Sequence, residues 1–228
     1  MIILACATEL ECRHALARTG CAPDSGARAN VAGLDILVCV VGVGPVAAAL
    51  NIGGLLERHP KTQGVLNLGI CGSFDPDLPL GTACVASAEI WPEYGVHCAN
   101  GDEEPFSFQM LPDLHLNPVN RLDLDPSSAA SAMGLAVPDA WPRGPSLTVA
   151  GVSGDQGRAA RLLARYGGAT ENMEGFSLAL AARRHGLPFL EVRTVSNPVG
   201  VRDKKRWDFR LALEALQSIL PNLAGAEK

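Results

Sequence analysis

The sequence predicts an α/β fold in which a largely parallel mixed sheet is flanked by helices, and three observations carry that expectation. Apolar runs of strand length recur at 1–6, 34–42, 64–70, 82–90, 146–152 and 187–196. Helical patterns fall between and after them, at 8–18, 45–58, 156–167, 170–185 and 206–220. Strands separated by helices form parallel sheets covered on both faces. Finally, 228 residues that are 47 % hydrophobic and only 19 % charged supply one sizeable core. A single domain over 1–228 is expected, with an irregular insertion at about 92–145, where eight of the sixteen prolines fall.

In chain order, "MIILAC" is a strand apolar throughout, as a buried parallel strand should be. The turn after it, "ATELE", opens a helix with the spacing of a capping box, Thr8 and Glu11. Glu11 therefore has two readings: a helix cap, or a ligand-facing carboxylate just beyond the carboxyl end of a strand, where α/β sheets bind ligands. Both fit one side chain. The run "VCVVGVGPVAAAL" passes from strand to helix through Gly42-x-Gly44-x-x-Ala47. It resembles a dinucleotide-binding turn, but the acidic residue that would hold a ribose after the next strand is missing until Asp75. Glycines that let a helix or ligand approach the sheet are the safer inference.

The next strand breaks into Gly69, Gly72 and Ser73, and "VAGVSGDQG" repeats the pattern with Asp155 as helix cap or site residue. Within "ENMEGFSLALAARRHG", the carboxylate of Glu174 sits at the start of a helix apolar on nearly every side. A buried charge there needs a reason. The last strand ends at Asn197, held extended by Pro198, a dipeptide equally at home in a turn. "RDKKRW" then gathers Arg202, Lys204, Lys205 and Arg206, either a solvated face or a site for a ligand carboxylate beside Trp207. In the final helix Phe209, Leu213, Leu216 and Leu220 recur at helical spacing.

Composition excludes several classes. A formal charge of −5 and a pI near 5.5 argue against a nucleic-acid partner. No apolar run reaches the ~18 residues of a membrane span, and the first residues lack the basic region of a secretory signal. The seven cysteines (6, 12, 21, 39, 71, 84 and 98) show no C-x-x-C pair and no histidine at zinc spacing. Buried, reduced thiols in a cytoplasmic protein are expected, with no metal and no cofactor.

Taken in order, "ATELE", "GVGPVAAAL", "NLGICGS", "VSGD", "NMEG" and "VRTVSN" resemble the purine nucleoside phosphorylase/nucleosidase superfamily, in its methylthioadenosine/S-adenosylhomocysteine nucleosidase branch. "WPEYGV", "SNPVG" and "RDKKRW" are similar to the futalosine hydrolases within that branch, nucleosidases of an alternative menaquinone pathway. The likeness implies the three-layer nucleoside phosphorylase-like fold and release of hypoxanthine by cleavage of an N-glycosidic bond. It implies Glu11 as the base that activates water, Met173 against the ribose and Glu174 on its hydroxyls. It also implies contributions from Ile70 and Gly157, and association as a homodimer or higher homo-oligomer.

Where adenine-specific relatives carry aspartic acid, this sequence has Asn197; where they carry serine, it has Ile70. An amide donates a hydrogen bond to a 6-oxopurine but cannot deliver a proton, so the expected substrate is futalosine rather than methylthioadenosine. Arg202 would then meet the carboxylate on the 5′ side, and Tyr94, Phe106 and Phe108 would close over the ligand. Phosphorolysis is the rival reaction, but its phosphate would face Glu11, and the nearby Arg13 and His14 cannot be matched to a phosphate cradle. A nucleoside-binding protein without catalysis is the non-enzymatic alternative.

Overall fold

The computed structural model describes residues 1–21, 24–108, 116 and 118–225. Of the insertion anticipated at 92–145, residues 109–115 and 117 lie outside that description, as do the terminal residues 226–228.

Strand β1 (Ile2–Cys6) is buried along its whole length between β3 (Leu34–Val40) and β4 (Gly64–Ser73), parallel to both. Its side chains alternate between two apolar layers: Ile2, Leu4 and Cys6 join one cluster, Ile3 and Ala5 the other. The first layer is closed by α1 (Glu9–Leu16), α3 (Pro126–Ala132), α6 (Phe209–Leu216) and α7 (Ile219–Leu223). The second is closed by α2 (Pro45–Arg58) and α5 (Gly175–Arg184) through Ile52, Leu56, Phe176 and Leu178. Complete burial of a side chain such as Leu4 or Ile3 contributes about 1.5–3 kcal/mol. This is the three-layer α/β arrangement expected from the sequence.

The sheet runs β10-β9-β5-β11-β4-β1-β3-β2, with β2 (Arg28–Val31), β5 (Ala83–Ile90), β9 (Arg143–Thr148), β10 (Thr170–Asn172) and β11 (Phe189–Pro198). β2 is an antiparallel edge strand on β3. The ten-residue β4 continues past β1 and pairs with β11 on one side and β10 on the other. Because β10 also pairs with β9, strands β4, β11, β5, β9 and β10 close into a ring.

Three expected elements are drawn differently by the structure. The helix anticipated over 170–185 begins at Gly175, because Thr170–Asn172 are taken up as β10. The strand anticipated over 146–152 covers Arg143–Thr148, and the chain then leaves the sheet toward the cavity described below. The last helix is two, α6 and α7, a break that puts Pro221 in the first turn of α7 instead of a helix interior. The insertion holds a hairpin of β6 (Gly95–His97) and β7 (Glu103–Pro105), the strand β8 (Arg121–Asp123) on β5, and α3 capped by Asp125.

Candidate active site

Four chain segments that leave the sheet at strand carboxyl ends meet around a cavity of about 420 Å³, within the usual range of small-molecule sites. The turn after β1 contributes Thr8 and Glu11, the end of β4 Ile70, Cys71 and Gly72, the end of β10 Met173 and Glu174, and the end of β11 Ser196 and Asn197. Arg202, Trp207 and Phe209 close one side, and Val152 and Ser153 another.

Glu11 serves as a cap and faces the cavity too. Thr8 Oγ1 accepts from its backbone N–H at 3.2 Å, and Glu11 Oε2 accepts from Thr8 N and Oγ1, both at 2.9 Å. Its other oxygen accepts from Ile70 N at 3.1 Å. Burial pushes the carboxyl up from its ordinary value; the Arg193 charge and these hydrogen bonds oppose the rise. A Cβ on Gly69 would fall 2.7 Å from Glu11 Oε1 and 3.0 Å from the Arg193 guanidinium, so the strand must lack a side chain there.

Glu174 is the N-cap residue of α5, but its side chain does not cap it. Asn172 Oδ1 does so instead, accepting from Glu174 N at 2.9 Å and Gly175 N at 2.8 Å. The Glu174 carboxylate is thereby left to accept from Gly44 N at 3.0 Å and to pair with Arg193 Nη1 at 3.2 Å. The positive end of α5 and a guanidinium thus offset the cost of burying it. Gly44, from the glycine-rich turn before α2, acts here as a backbone donor.

Arg193, on β11, was not singled out from the sequence. It is 3 % exposed, donates from Nε to Glu191 at 2.7 Å and from Nη1 to Glu174, and lines the cavity between Glu174 and Glu11. Burial alone would lower its pKa, but Glu191, Glu174 and Glu11 outweigh it and keep the guanidinium charged. The signal in the sequence is Glu191-x-Arg193 inside an apolar strand, an i, i+2 ion pair on one face. Glu171 and Ser153 were also missed: Ser153 N and Oγ donate to Glu171 at 2.9 and 2.5 Å, fixing the loop after β9 against the cavity. Burial raises the Glu171 pKa and the Ser153 bonds oppose it.

On the opposite wall, Asn197 Oδ1 accepts from Ser196 Oγ at 2.8 Å, while Nδ2 donates to Pro198 O at 3.1 Å. One amide hydrogen is left over for a ligand acceptor. Arg202 lines the cavity, is exposed and has no hydrogen bond or ion pair among the described residues. Lys204, Lys205 and Arg206 lie outside the lining, in a one-turn helix started by Asp203.

Glu11, Ile70, Met173, Glu174, Asn197 and Arg202 therefore meet, but four residues expected with them do not. Gly157 sits in α4 (Gln156–Tyr166), whose start Asp155 caps, and is exposed outside the cavity. Tyr94 stacks on Trp91 at 5.0 Å and meets Phe106 edge-on at 5.7 Å, while Trp91 packs on Phe176 of α5. These rings, and Phe108 against Phe106, hold the β6–β7 hairpin to the domain and do not line the cavity. Arg158 braces the same hairpin, donating to Glu93 just before β6 at 2.6 Å and to Glu103 of β7 at 3.5 Å. Among the described residues no group of acidic, histidine or cysteine side chains is placed to hold a metal ion, and no helix is long and apolar enough to cross a membrane.

A profile of the Phosphorylase superfamily matches residues 2–226. Futalosine hydrolase of Streptomyces coelicolor is 39 % identical over 200 residues, 84 % of this chain and 79 % of that protein. Futalosine hydrolase of Thermus thermophilus is 31 % identical over 198 residues, 86 % and 84 % of the two chains. Among solved structures, a futalosine hydrolase mutant of Helicobacter pylori superposes with a TM-score of 0.77 at 18 % identity, over 99 % of both chains. A methylthioadenosine/S-adenosylhomocysteine nucleosidase of Colwellia psychrerythraea in complex with adenine gives 0.75 at 22 %, covering 98 % of this chain and 94 % of that one. By the profile and by these two relatives, the chain belongs to the Phosphorylase superfamily, and within it to the family of the futalosine hydrolases.

Proposed function

We propose that the protein hydrolyses the N-glycosidic bond of futalosine, releasing hypoxanthine and dehypoxanthine futalosine, and so serves menaquinone biosynthesis by the futalosine route. The observation that carries the reading is the meeting of two buried carboxylates from distant segments, Glu11 and Glu174, with the amide of Asn197 lining the same cavity. Curated relatives that bear the name of that activity support the choice of substrate.

In this reading Met173 packs under the ribose and Glu174 accepts from its hydroxyls. Glu11 takes a proton from water as the water oxygen bonds to the anomeric carbon. The C–N bond breaks, its electron pair leaves with the purine, and solvent returns a proton to the base. Two carboxylates beside a sugar that becomes cationic stabilise the transition state more than the ground state. Asn197, whose Oδ1 is already held by Ser196, donates from Nδ2 to N7 or O6 of hypoxanthine. Phosphate in place of water would meet both carboxylates, and Arg193 is committed to Glu191 and Glu174. Arg13 and His14 do not line the cavity.

The unpaired Arg202 beside Trp207 and Phe209 is the proposed seat of the 5′ aromatic carboxylate. Incubation with futalosine, methylthioadenosine and inosine, followed by chromatography, tests the whole reading: hypoxanthine should appear from futalosine without phosphate. Adenine from methylthioadenosine alone, or strict dependence on phosphate, would overturn it. Arg202→Glu should raise KM for futalosine at least about tenfold more than for inosine, a loss on the order of 1.4 kcal/mol in ground-state binding. Equal effects would remove Arg202 from the site.

A cytoplasmic location and a homo-oligomeric state complete the proposal. All seven cysteines are free, which suits a reducing compartment. Val46 and Leu50, one turn apart on α2, are 81 % and 75 % exposed, an apolar strip suited to a second copy of the chain.

A further inference from the structure

Behind the cavity, on the far side of Arg193, lies a second pair of carboxyls that the reaction above does not use. Glu89 on β5 and Glu191 on β11 are both fully buried. They converge on the first residue of α5: a Cβ on Gly175 would fall 2.5 Å from Glu191 Oε2 and closer still to Glu89 Oε1. Three of the four oxygens are accounted for. Glu89 Oε2 accepts from Thr148 Oγ1 at 2.6 Å, Glu89 Oε1 from Asn172 Nδ2 at 2.8 Å, and Glu191 Oε1 from Arg193 Nε at 2.7 Å. Glu191 Oε2 is buried with no N–H or O–H of the described residues aimed at it. The Glu89 carboxyl is its neighbour across Gly175 and, when protonated, can supply that hydrogen.

Charge balance leads to the same place. Arg193 is a single cation among Glu11, Glu174, Glu89 and Glu191, and four buried carboxylates around one guanidinium would repel strongly. A proton placed between the two inner acids removes one of those charges and fills the orphaned oxygen.

We propose that Glu89 and Glu191 share one proton beside Gly175, and that this acid pair positions Arg193, and through Arg193 the Glu174 carboxylate, for the nucleosidase reaction. The inference rests on the function proposed above. Glu89 is the neutral partner: burial first, and Glu191 second, raise its pKa well above the ordinary value. Glu191 anchors the guanidinium through Oε1. The groups facing the pair are Arg193 from β11, Thr148 from β9, Asn172 from β10 and the Cys71 thiol from β4, with Glu174 and Glu11 beyond Arg193. Neither inner acid lines the cavity, so both are positioning residues.

Two measurements test this. In infrared spectra at neutral pH, wild type and Glu11→Gln should both show the C=O stretch of a neutral carboxylic acid, and Glu89→Gln in the Glu11→Gln background should lose it. Glu191→Gln should lose it as well, although Glu89 is intact: the new amide donates the missing hydrogen, and Glu89 ionises to balance Arg193. In kinetics, Glu191→Leu should lower kcat/KM roughly a hundredfold, as small misplacements behind a site do, while Glu191→Gln stays within about threefold of wild type. Rescue by the amide separates positioning from simple filling of space. Absence of the neutral-acid band, its survival in Glu191→Gln, or a Glu191→Leu enzyme as fast as wild type overturns the proposal. The spectra decide even if Glu191→Leu does not fold. A protein that shows the band but cleaves no nucleoside would count against the assigned reaction and uphold the shared proton.

Discussion

At the scale of single residues, Glu11 both caps α1 and lines the cavity, where the base of the proposed reaction would stand. Thr8 and Ile70 hold its two oxygens, so the carboxylate is oriented before any ligand arrives. Glu11→Gln should lower kcat by about 10²–10⁴, the usual worth of a general base, with ligand affinity little changed; single-turnover kinetics and calorimetry separate the two. Glu89 gives a prediction for stability. Its folded pKa is raised, so native and unfolded chains are both protonated below the ordinary value of 4.5, where its contribution is complete. As pH rises, the unfolded chain releases its proton first and the native state loses ground until the folded pKa is reached. Unfolding free energy from denaturant titrations, followed upward from pH 5, should therefore fall more steeply for wild type than for Glu89→Gln, by up to about 1.4 kcal/mol per pH unit.

At the scale of elements, helix ends carry the site. α1 begins with a complete capping box, and α5 is capped by the preceding Asn172 so that Glu174 is free for the cavity. Thr8→Ala removes one half of the box and should cost about 1 kcal/mol in unfolding free energy, read from the denaturation midpoint at constant slope. Much of this was legible in the sequence. The capping spacing of Thr8 and Glu11, the awkward acid at 174 and the Asn-Pro at a strand end all mark positions where local chemistry disagrees with burial, and all three line the cavity. The three-residue β10 was not legible: Thr170–Asn172 runs into a helical pattern, and only pairing with β9 and β4 makes it a strand. Arg193 went unnoticed because the cavity acid it pairs with, Glu174, comes from another segment, and the Glu191-x-Arg193 pair on its own strand says nothing of a cavity. Tyr94 and Phe106 were assigned to the ligand because an aromatic in a loop looks available; in the fold, Tyr94 stacks on Trp91 and Phe106 packs edge-on against Tyr94.

At the scale of the whole molecule, the exposed apolar strip on α2 is the surface proposed above for a second copy of the chain. Leu50→Glu should shift the protein toward monomer in light scattering without lowering the melting temperature of the fold, because the side chain touches little within its own chain. Closure of β4, β11, β5, β9 and β10 into a ring has a different consequence. A strand at a rim can fray one bond at a time, as β2 can, whereas none of these five can be released without breaking ladders on two sides. The floor of the cavity should therefore be the slowest part of the molecule to exchange its amide hydrogens, with access to the cavity left to the loops around a floor that stays shut.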